Sequence, residues 1–229
     1  MKAVLFDIDG TILTEEPLIM LFLPQVYDKL SRKLGISKDE ARERFLSEIL
    51  GRRDSYDWHD WNFFFKLFDL DLKYEELLER YPHKLQVYPD TIPTLEWLRD
   101  TGYKLGIVTS GPKYQRLKLK LTGLLDYFDV VITRDDVNAI KPEPKIFLYT
   151  IERLGVEPGE AVMVGDSLSQ DVYGAKSVGM TAVWINRNGD RGYNMADYEI
   201  RTLYELRKIL GGERVDKLAA ALEHHHHHH

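Results

Sequence analysis

Asp7 and Asp9 stand two residues apart at the end of a short apolar run, Ala3-Val-Leu-Phe-Asp7-Ile-Asp9-Gly10-Thr11. The Val- and Leu-rich part reads as a buried strand. Carboxylates at i and i+2 of a continuing strand share a face, and burying them unpaired is expensive. They are tolerable where the strand ends in a cleft that binds something cationic. Taken alone, the run reads equally well as a strand closed by an Asp-Gly turn. A calcium loop does not fit: the glycine comes too early, and Leu18 stands where that loop needs its glutamate.

Three other places carry side chains of related chemistry. Leu105-Gly-Ile-Val-Thr109-Ser110-Gly111 ends an apolar run in two hydroxyls and a glycine. Lys141-Pro142 follows the next apolar run by a short loop, and Val162-Met-Val-Gly165-Asp166 ends in a further acid, with Asp171 five residues on. Clustered carboxylates without histidine or cysteine among them favour a hard cation with oxygen ligands, Mg²⁺ above all. A lysine and hydroxyl donors beside such a cation suit a dianionic phosphoryl group, and an aspartate so placed can attack it to form an aspartyl-phosphate. There is no Walker-type loop and no G-x-G-x-x-G, so nucleoside triphosphate and dinucleotide chemistry lose support.

The elements that must bring these residues together alternate regularly after Tyr88. Helix Thr91 to Asp100 precedes strand Lys104 to Val108; helix Lys113 to Thr122 precedes strand Asp129 to Thr133. Helix Glu143 to Leu154, strand Ala161 to Val164, helix Ser169 to Val178 and strand Thr181 to Ile185 follow, with a last helix over Leu203 to Leu210. Such alternation predicts an α/β fold: a doubly wound, Rossmann-like parallel sheet covered on both faces. Ligands of such sheets bind at the carboxyl ends of the strands, where the candidate residues fall. Asp171 is expected in the first turn of its helix, near the positive end.

Residues 14–81 break the alternation, showing helical periodicity and no convincing strand. Leu18, Leu21, Phe22, Val26 and Leu30 recur at helical spacing, and Ser37-Lys-Asp-Glu40 is a capping box. The spacing predicts an inserted all-helical cap at 14–81, with 1–13 and 82–216 forming the catalytic core. Residues 217–229, ending in six histidines, read as a cloning scar and purification tag and stay outside the fold reasoning.

A hydrophobic fraction of 44% can supply a full core, and the absence of cysteine rules out disulfides and thiolate chemistry. A net charge of -6 argues against general nucleic-acid affinity. No apolar stretch approaches the roughly 18 residues of a membrane span. With no signal-peptide pattern before Asp7, the expectation is a soluble, cytoplasmic protein.

The four polar stretches, in this order, resemble the signature of the haloacid dehalogenase-like hydrolase superfamily. They are Asp7-Ile-Asp9-Gly10-Thr11, then Thr109 in Gly-Ile-Val-Thr-Ser-Gly, Lys141 in Lys-Pro-Glu-Pro, and Gly165-Asp166-Ser167 with Asp171. About 31 residues separate Thr109 from Lys141, too few for a cap there, so the position of the insertion resembles the subclass with an all-helical cap after the first motif. The resemblance implies Asp7 as nucleophile and Asp9 as general acid, then general base. It implies Mg²⁺ held by Asp7, the Asp9 carbonyl and Asp166, and phosphoryl oxygens bound by Thr109, Ser110, Gly111 and Lys141. Asp171 would orient Lys141 or a water on the metal. The family's dehalogenases lack an acid at the Asp9 position, since a departing halide needs no proton.

The expected function is therefore a Mg²⁺-dependent phosphatase of a small phosphorylated metabolite. A sugar phosphomutase is the alternative, and an inactive binding protein on the same fold a third reading. The aromatic run Trp58, Trp61, Phe64, Phe65 and Phe68 reads as cap core. Arg52 and Arg53, at a helix break, read first as solvated, with contact to a substrate's leaving group as the alternative; the helix face at Lys118-Leu-Lys120 reads as solvated, and neither His59 nor His83 sits in a motif.

Overall fold

A computed structural model describes residues 1–211, and the expected tag at 217–229 lies outside them. Six strands form one sheet with every pairing parallel: β1 (Ala3–Phe6), β4 (Lys104–Val108), β5 (Val130–Ile132), β6 (Ala161–Gly165), β7 (Thr181–Ile185) and β8 (Tyr198–Ile200), in the order β5-β4-β1-β6-β7-β8. From β1 the chain first winds outward to β4 and β5, then returns to the other side of β1 for β6, β7 and β8. The order therefore reverses at β1, which opens a crevice at the carboxyl ends of β4, β1 and β6.

β1 is buried along its whole length because both of its faces are covered. Val4 and Phe6 pack on one side with Leu95 and Leu98 of α5 (Thr91–Asp100) and Leu119 of α6 (Tyr114–Leu121). Ala3 and Leu5 point to the opposite side, against Ile146, Phe147 and Ile151 of α8 (Pro144–Leu154). The period-2 alternation of side chains assigns each residue to its layer.

Between β2 (Leu13–Thr14) and β3 (Gln86–Val87) the chain forms α1 (Glu16–Leu34), α2 (Lys38–Gly51), α3 (Trp61–Leu67) and α4 (Tyr74–Arg80). These helices bury a separate core around Phe22, Phe45, Phe64, Phe65 and Tyr74. β2 and β3 pair antiparallel, Leu13 opposite Val87, so the two connections to the sheet are bound to each other. Ser37 caps α2 by accepting the Glu40 amide (3.1 Å), and α1 ends at Gly35 in the left-handed region.

The structure departs from the sequence expectation in three places. β8 is an edge strand of three residues with two exposed positions, too short and too polar to announce itself by apolar patterning. The expected helix Leu203 to Leu210 is a 3₁₀ turn (Leu203–Glu205) followed by a π turn (Arg207–Gly211), although Leu203, Leu206 and Leu210 still reach the core. The expected helix Ser169 to Val178 begins as a π turn, Leu168–Val172, before α9 (Tyr173–Ser177). In that turn the Val172 amide reaches back to the Ser167 carbonyl (3.2 Å), and the wider coil brings Asp171 inward. Gly165 makes the room: a Cβ there would lie 2.2 Å from the Asp171 carboxyl carbon.

Candidate active site

Asp7 leaves the end of β1 with its amide still donating to the Val164 carbonyl of β6 (3.1 Å). The chain then turns, with the amides of Thr11 and Ile12 both donating to the Ile8 carbonyl. Gly10, at φ +81°, allows this turn and also a close approach, since a Cβ on it would lie 2.4 Å from Asp166 Oδ2. The two N-terminal carboxylates consequently face different partners.

Asp7 Oδ1 accepts from the Lys141 ammonium at 2.9 Å, and the same ammonium donates to Asp171 Oδ1 at 2.6 Å. Lys141 is 2% exposed. Burial alone would lower its pKa, but Asp171 and then Asp7 outweigh that and push it up, so it stays cationic. Its backbone amide donates to Ser110 Oγ (2.9 Å), fixing the lysine loop to the end of β4. Thr109 Oγ1 accepts from the Gly111 amide and from Gln115 Nε2, each at 3.1 Å.

Carboxylate oxygens of Asp7, Asp166 and Asp171 lie within 4.8 Å of one another. Asp166 opens onto the cleft floor with protein enclosing its other sides. That enclosure first, then the facing Asp7 and Asp171, push its pKa up to about 9. Burial first, against the opposing Lys141, pushes Asp171 up to about 6. An all-oxygen set of three carboxylates this close, two of them with raised pKa values, fits a hard divalent cation. Asp171 is already engaged by Lys141 and by the Ser167 amide (3.1 Å), which leaves Asp7 and Asp166 as the freer donors.

Asp9 faces the other way. Lys118 Nζ lies 2.9 and 3.1 Å from its two oxygens, and Gln115 Nε2 donates to Oδ2 at 3.0 Å. The same ammonium reaches Glu15 Oε2 at 2.5 Å. Burial is the largest influence on Asp9 and takes its pKa to about 6 against the opposing pull of Lys118. The reading of the Lys118-Leu-Lys120 face as solvated is overturned at Lys118, which is 1% exposed, while Lys120 is exposed. Glu15, Gln115 and Lys118 escape a motif search. One signal was available: Lys118 shares a helix stripe with Tyr114, four residues earlier, and a lysine in line with an apolar stripe requires a partner.

Asp7, Asp9, Thr109, Ser110, Gly111, Lys141 and Asp166 line one cavity of about 560 Å³, whereas Asp171 lies beneath it, 1% exposed. The helical segment supplies the opposite wall with Ile19, Arg53, Trp58, His59, Trp61 and Phe64. The aromatic run is thus divided: Phe64 and Phe65 are buried in the helical core, while Trp58, Trp61 and an edge of Phe64 border the cleft. Of the two arginines read as solvated, Arg53 lines the cavity; Arg52 pairs with Glu48 (3.4 Å) and lies over the Phe63 ring. His59 borders the cavity with a buried Nε2 that has no hydrogen-bond partner among the described residues. Burial first, then Lys141, lower its pKa to about 4, so its ring is neutral at pH 7. Polar ties join this wall to the helices and turns around the sheet: the Trp61 amide donates to the Tyr114 hydroxyl of α6 (3.0 Å), Arg134 of α7 (Arg134–Val137) pairs with Asp60 (3.3 Å), and Gln170 of the π turn donates to Asp54 (3.2 Å).

Residues 1–179 match the family described as haloacid dehalogenase-like hydrolase. A glyceraldehyde 3-phosphate phosphatase of Pyrococcus furiosus is 32% identical over 228 residues, covering 93% of this chain and 94% of that protein. Pyrophosphatase PpaX of Bacillus pumilus is 31% identical, with 93% and 97% covered. A glyceraldehyde 3-phosphate phosphatase of Methanopyrus kandleri is 47% identical over 104 residues, 45% of each chain. Among solved structures, a 2-haloacid dehalogenase from Pseudomonas syringae pv. Tomato DC3000 matches with a TM-score of 0.68 at 28% identity, over 92% of this chain and 98% of that one.

Proposed function

The chain belongs to the haloacid dehalogenase-like hydrolase family, and from that premise we propose that it is a Mg²⁺-dependent phosphatase of a small phosphorylated metabolite. One observation carries the proposal: two carboxylates two residues apart are held by different cations, Asp7 by Lys141 and Asp9 by Lys118. Neighbours with distinct partners can do distinct work.

Asp7 attacks phosphorus in line. As its oxygen–phosphorus bond forms, the bond from phosphorus to the ester oxygen breaks, and that oxygen takes the Asp9 proton and leaves as an alcohol. Asp9, now a carboxylate, accepts a proton from a water that attacks the aspartyl-phosphate. The phosphorus bond to Asp7 breaks, inorganic phosphate leaves, and both side chains return to their starting states. Lys141, Thr109 Oγ1 and the amides of Ser110 and Gly111 bind the phosphoryl oxygens. Asp171 holds Lys141 in place. When bound by Asp7, Asp166 and the Asp9 carbonyl, Mg²⁺ supplies charge neutralisation between the carboxylate nucleophile and the anionic ester.

An acid at Asp9 has work only if the leaving group needs a proton. This favours ester hydrolysis over the halide displacement of the dehalogenase that shares the fold. Residues 14–81 form the cap, and their cleft-facing side chains select the substrate.

The test is turnover of p-nitrophenyl phosphate and of a phosphorylated-metabolite panel that includes glyceraldehyde 3-phosphate and pyrophosphate. Mg²⁺-dependent phosphate release is expected, and Asp7→Asn abolishes it. Undiminished turnover in EDTA, or in Asp7→Asn, sinks the proposal. Hexose-phosphate isomerisation outpacing phosphate release decides for a phosphomutase instead.

A further inference from the structure

The chemistry just described gives no task to Lys118, a buried cation at the edge of the site. Lys118 projects from α6 against both Asp9 oxygens, and its ammonium lies 2.5 Å from Glu15 Oε2. Gln115, three residues earlier and on the same face of that helix, donates to Asp9 Oδ2 and to Thr109 Oγ1. Both Asp9 oxygens are thus engaged from one side, which fixes the plane of the carboxyl group. Glu15 is fixed in turn: it accepts from Trp61 Nε1 at 3.3 Å and from the Tyr74 hydroxyl, whose ring lies 5.4 Å from the Lys118 ammonium.

Stability alone is a poor reason for such a cluster. Buried ion pairs and triads often give way to apolar residues of similar volume with no loss of stability. The cluster also borders the catalytic cavity, which Glu15, Gln115 and Lys118 all line. We propose that Lys118, anchored by Glu15, is a positioning residue for Asp9, holding its carboxyl group where the proton reaches the departing ester oxygen. This rests on the reading of Asp9 as general acid. The step affected is the first one: the Asp9 O–H bond breaks and the proton joins the ester oxygen as that oxygen separates from phosphorus and Asp7 bonds to it.

The leaving group distinguishes positioning from mere structure. p-Nitrophenolate departs as a stable anion, whereas an alkoxide does not depart without a proton. kcat/KM reports the steps through leaving-group release and is free of the later attack by water. Lys118→Met is therefore expected to lower kcat/KM for an alkyl phosphate at least tenfold more than for p-nitrophenyl phosphate, a part of the roughly 10² to 10⁴ that general acid catalysis supplies in full. Lys118→Arg, which keeps the charge, recovers most of the difference. Equal losses on both substrates overturn the proposal.

Should Lys118→Met not fold, Glu15→Gln is read in its place; it leaves Lys118 present but loosely held, and the same inequality is expected. Equal losses there overturn the proposal too. Asp9→Asn, run alongside, separates the two levels of the reasoning. If it shows no preference for the better leaving group, the acid role of Asp9 falls and the proposal with it. If it shows that preference and the Lys118 variants do not, only the positioning role falls.

Discussion

Replacing Gly10 by Ala tests the geometry of the site at its tightest point. The new Cβ would lie 2.4 Å from Asp166 Oδ2 and 3.0 Å from its carboxyl carbon. Ordinary contact begins at 3.4 Å, so the Asp166 carboxylate must withdraw by about 1 Å. A displacement of that size at a reacting centre costs about 10²-fold in rate. The backbone penalty is separate: at φ +81° an L-residue costs about 1–2 kcal/mol. Gly35→Ala isolates that second effect, because Gly35 sits at φ +64° with nothing within 4 Å of its would-be Cβ. Turnover of p-nitrophenyl phosphate across a Mg²⁺ titration, together with urea unfolding, reads both quantities. Both variants should lose about 1–2 kcal/mol of stability. Gly10→Ala alone should lose about a hundredfold in kcat and need more Mg²⁺ for half-saturation. Gly10→Ala turnover within threefold of the parent, or an equal loss in Gly35→Ala, refutes the reasoning.

Two further outcomes follow from the charges. The pKa values of Asp9 and Asp171 are raised to about 6 and that of Asp166 to about 9, all above the unfolded value of 3.8. Raised acids contribute stability that is complete below about pH 4 and is lost as pH climbs through 6 and then 9. His59, lowered to about 4, and the lowered Glu15 act in the opposite sense below about pH 6.5, so the metal-free protein should lose thermal stability as pH rises above that point toward 9. Mg²⁺, which competes with the proton on Asp166, should raise the melting temperature more at pH 9 than at pH 6; a pH-independent increment contradicts this. Arg187 forms a two-point pair with buried Asp90 (3.0 and 2.9 Å), donates to the Thr11 carbonyl (2.7 Å) and lies over the Tyr88 ring. Arg187→Ala strands the Asp90 carboxylate and should cost about 3–5 kcal/mol in urea unfolding, with less than 1 kcal/mol refuting the pairing.

What the sequence makes legible is what local pattern encodes. Asp7, Thr109 and Asp166 each close an apolar run with a residue that has no business in a core, and Lys141 is marked by its proline. Lys104–Val108 and Thr181–Ile185 have the bounds their periodicity implies. Lys118 is different. Its neighbours Leu117, Leu119 and Lys120 look like an ordinary amphipathic turn, and its partners Asp9 and Glu15 lie more than a hundred residues away. The stripe it shares with Tyr114 hints that it is buried, but which carboxylates meet it is a property of the assembled site, so only assembled geometry names its partners. The π turn at Leu168–Val172 is hidden for a similar reason: it depends on the space Gly165 leaves for Asp171, a contact between two elements.

The balance of charge explains why the site divides as it does. Among the described residues, Asp7, Asp9, Glu15, Asp166 and Asp171 meet only two ammonium groups, Lys118 and Lys141. With all seven groups ionised, three negative charges remain in a partly desolvated space, where isolated carboxylates are strongly disfavoured. The excess is not spread evenly. Lys118 keeps Glu15 ionised, and burial sets against that attraction at Asp9; Lys141 sits between Asp7 and Asp171. What remains uncompensated falls on Asp166, whose pKa its surroundings and the facing Asp7 and Asp171 push up, so a cation there would be favoured. Asp7 and Asp166 would hold a divalent ion there, and its charge would offset the repulsion between Asp7 and an anionic phosphoryl group. Asp9, across the turn at Gly10, keeps its own cation, and in the proposed mechanism that separation would let it give and recover a proton apart from the groups that would hold the metal.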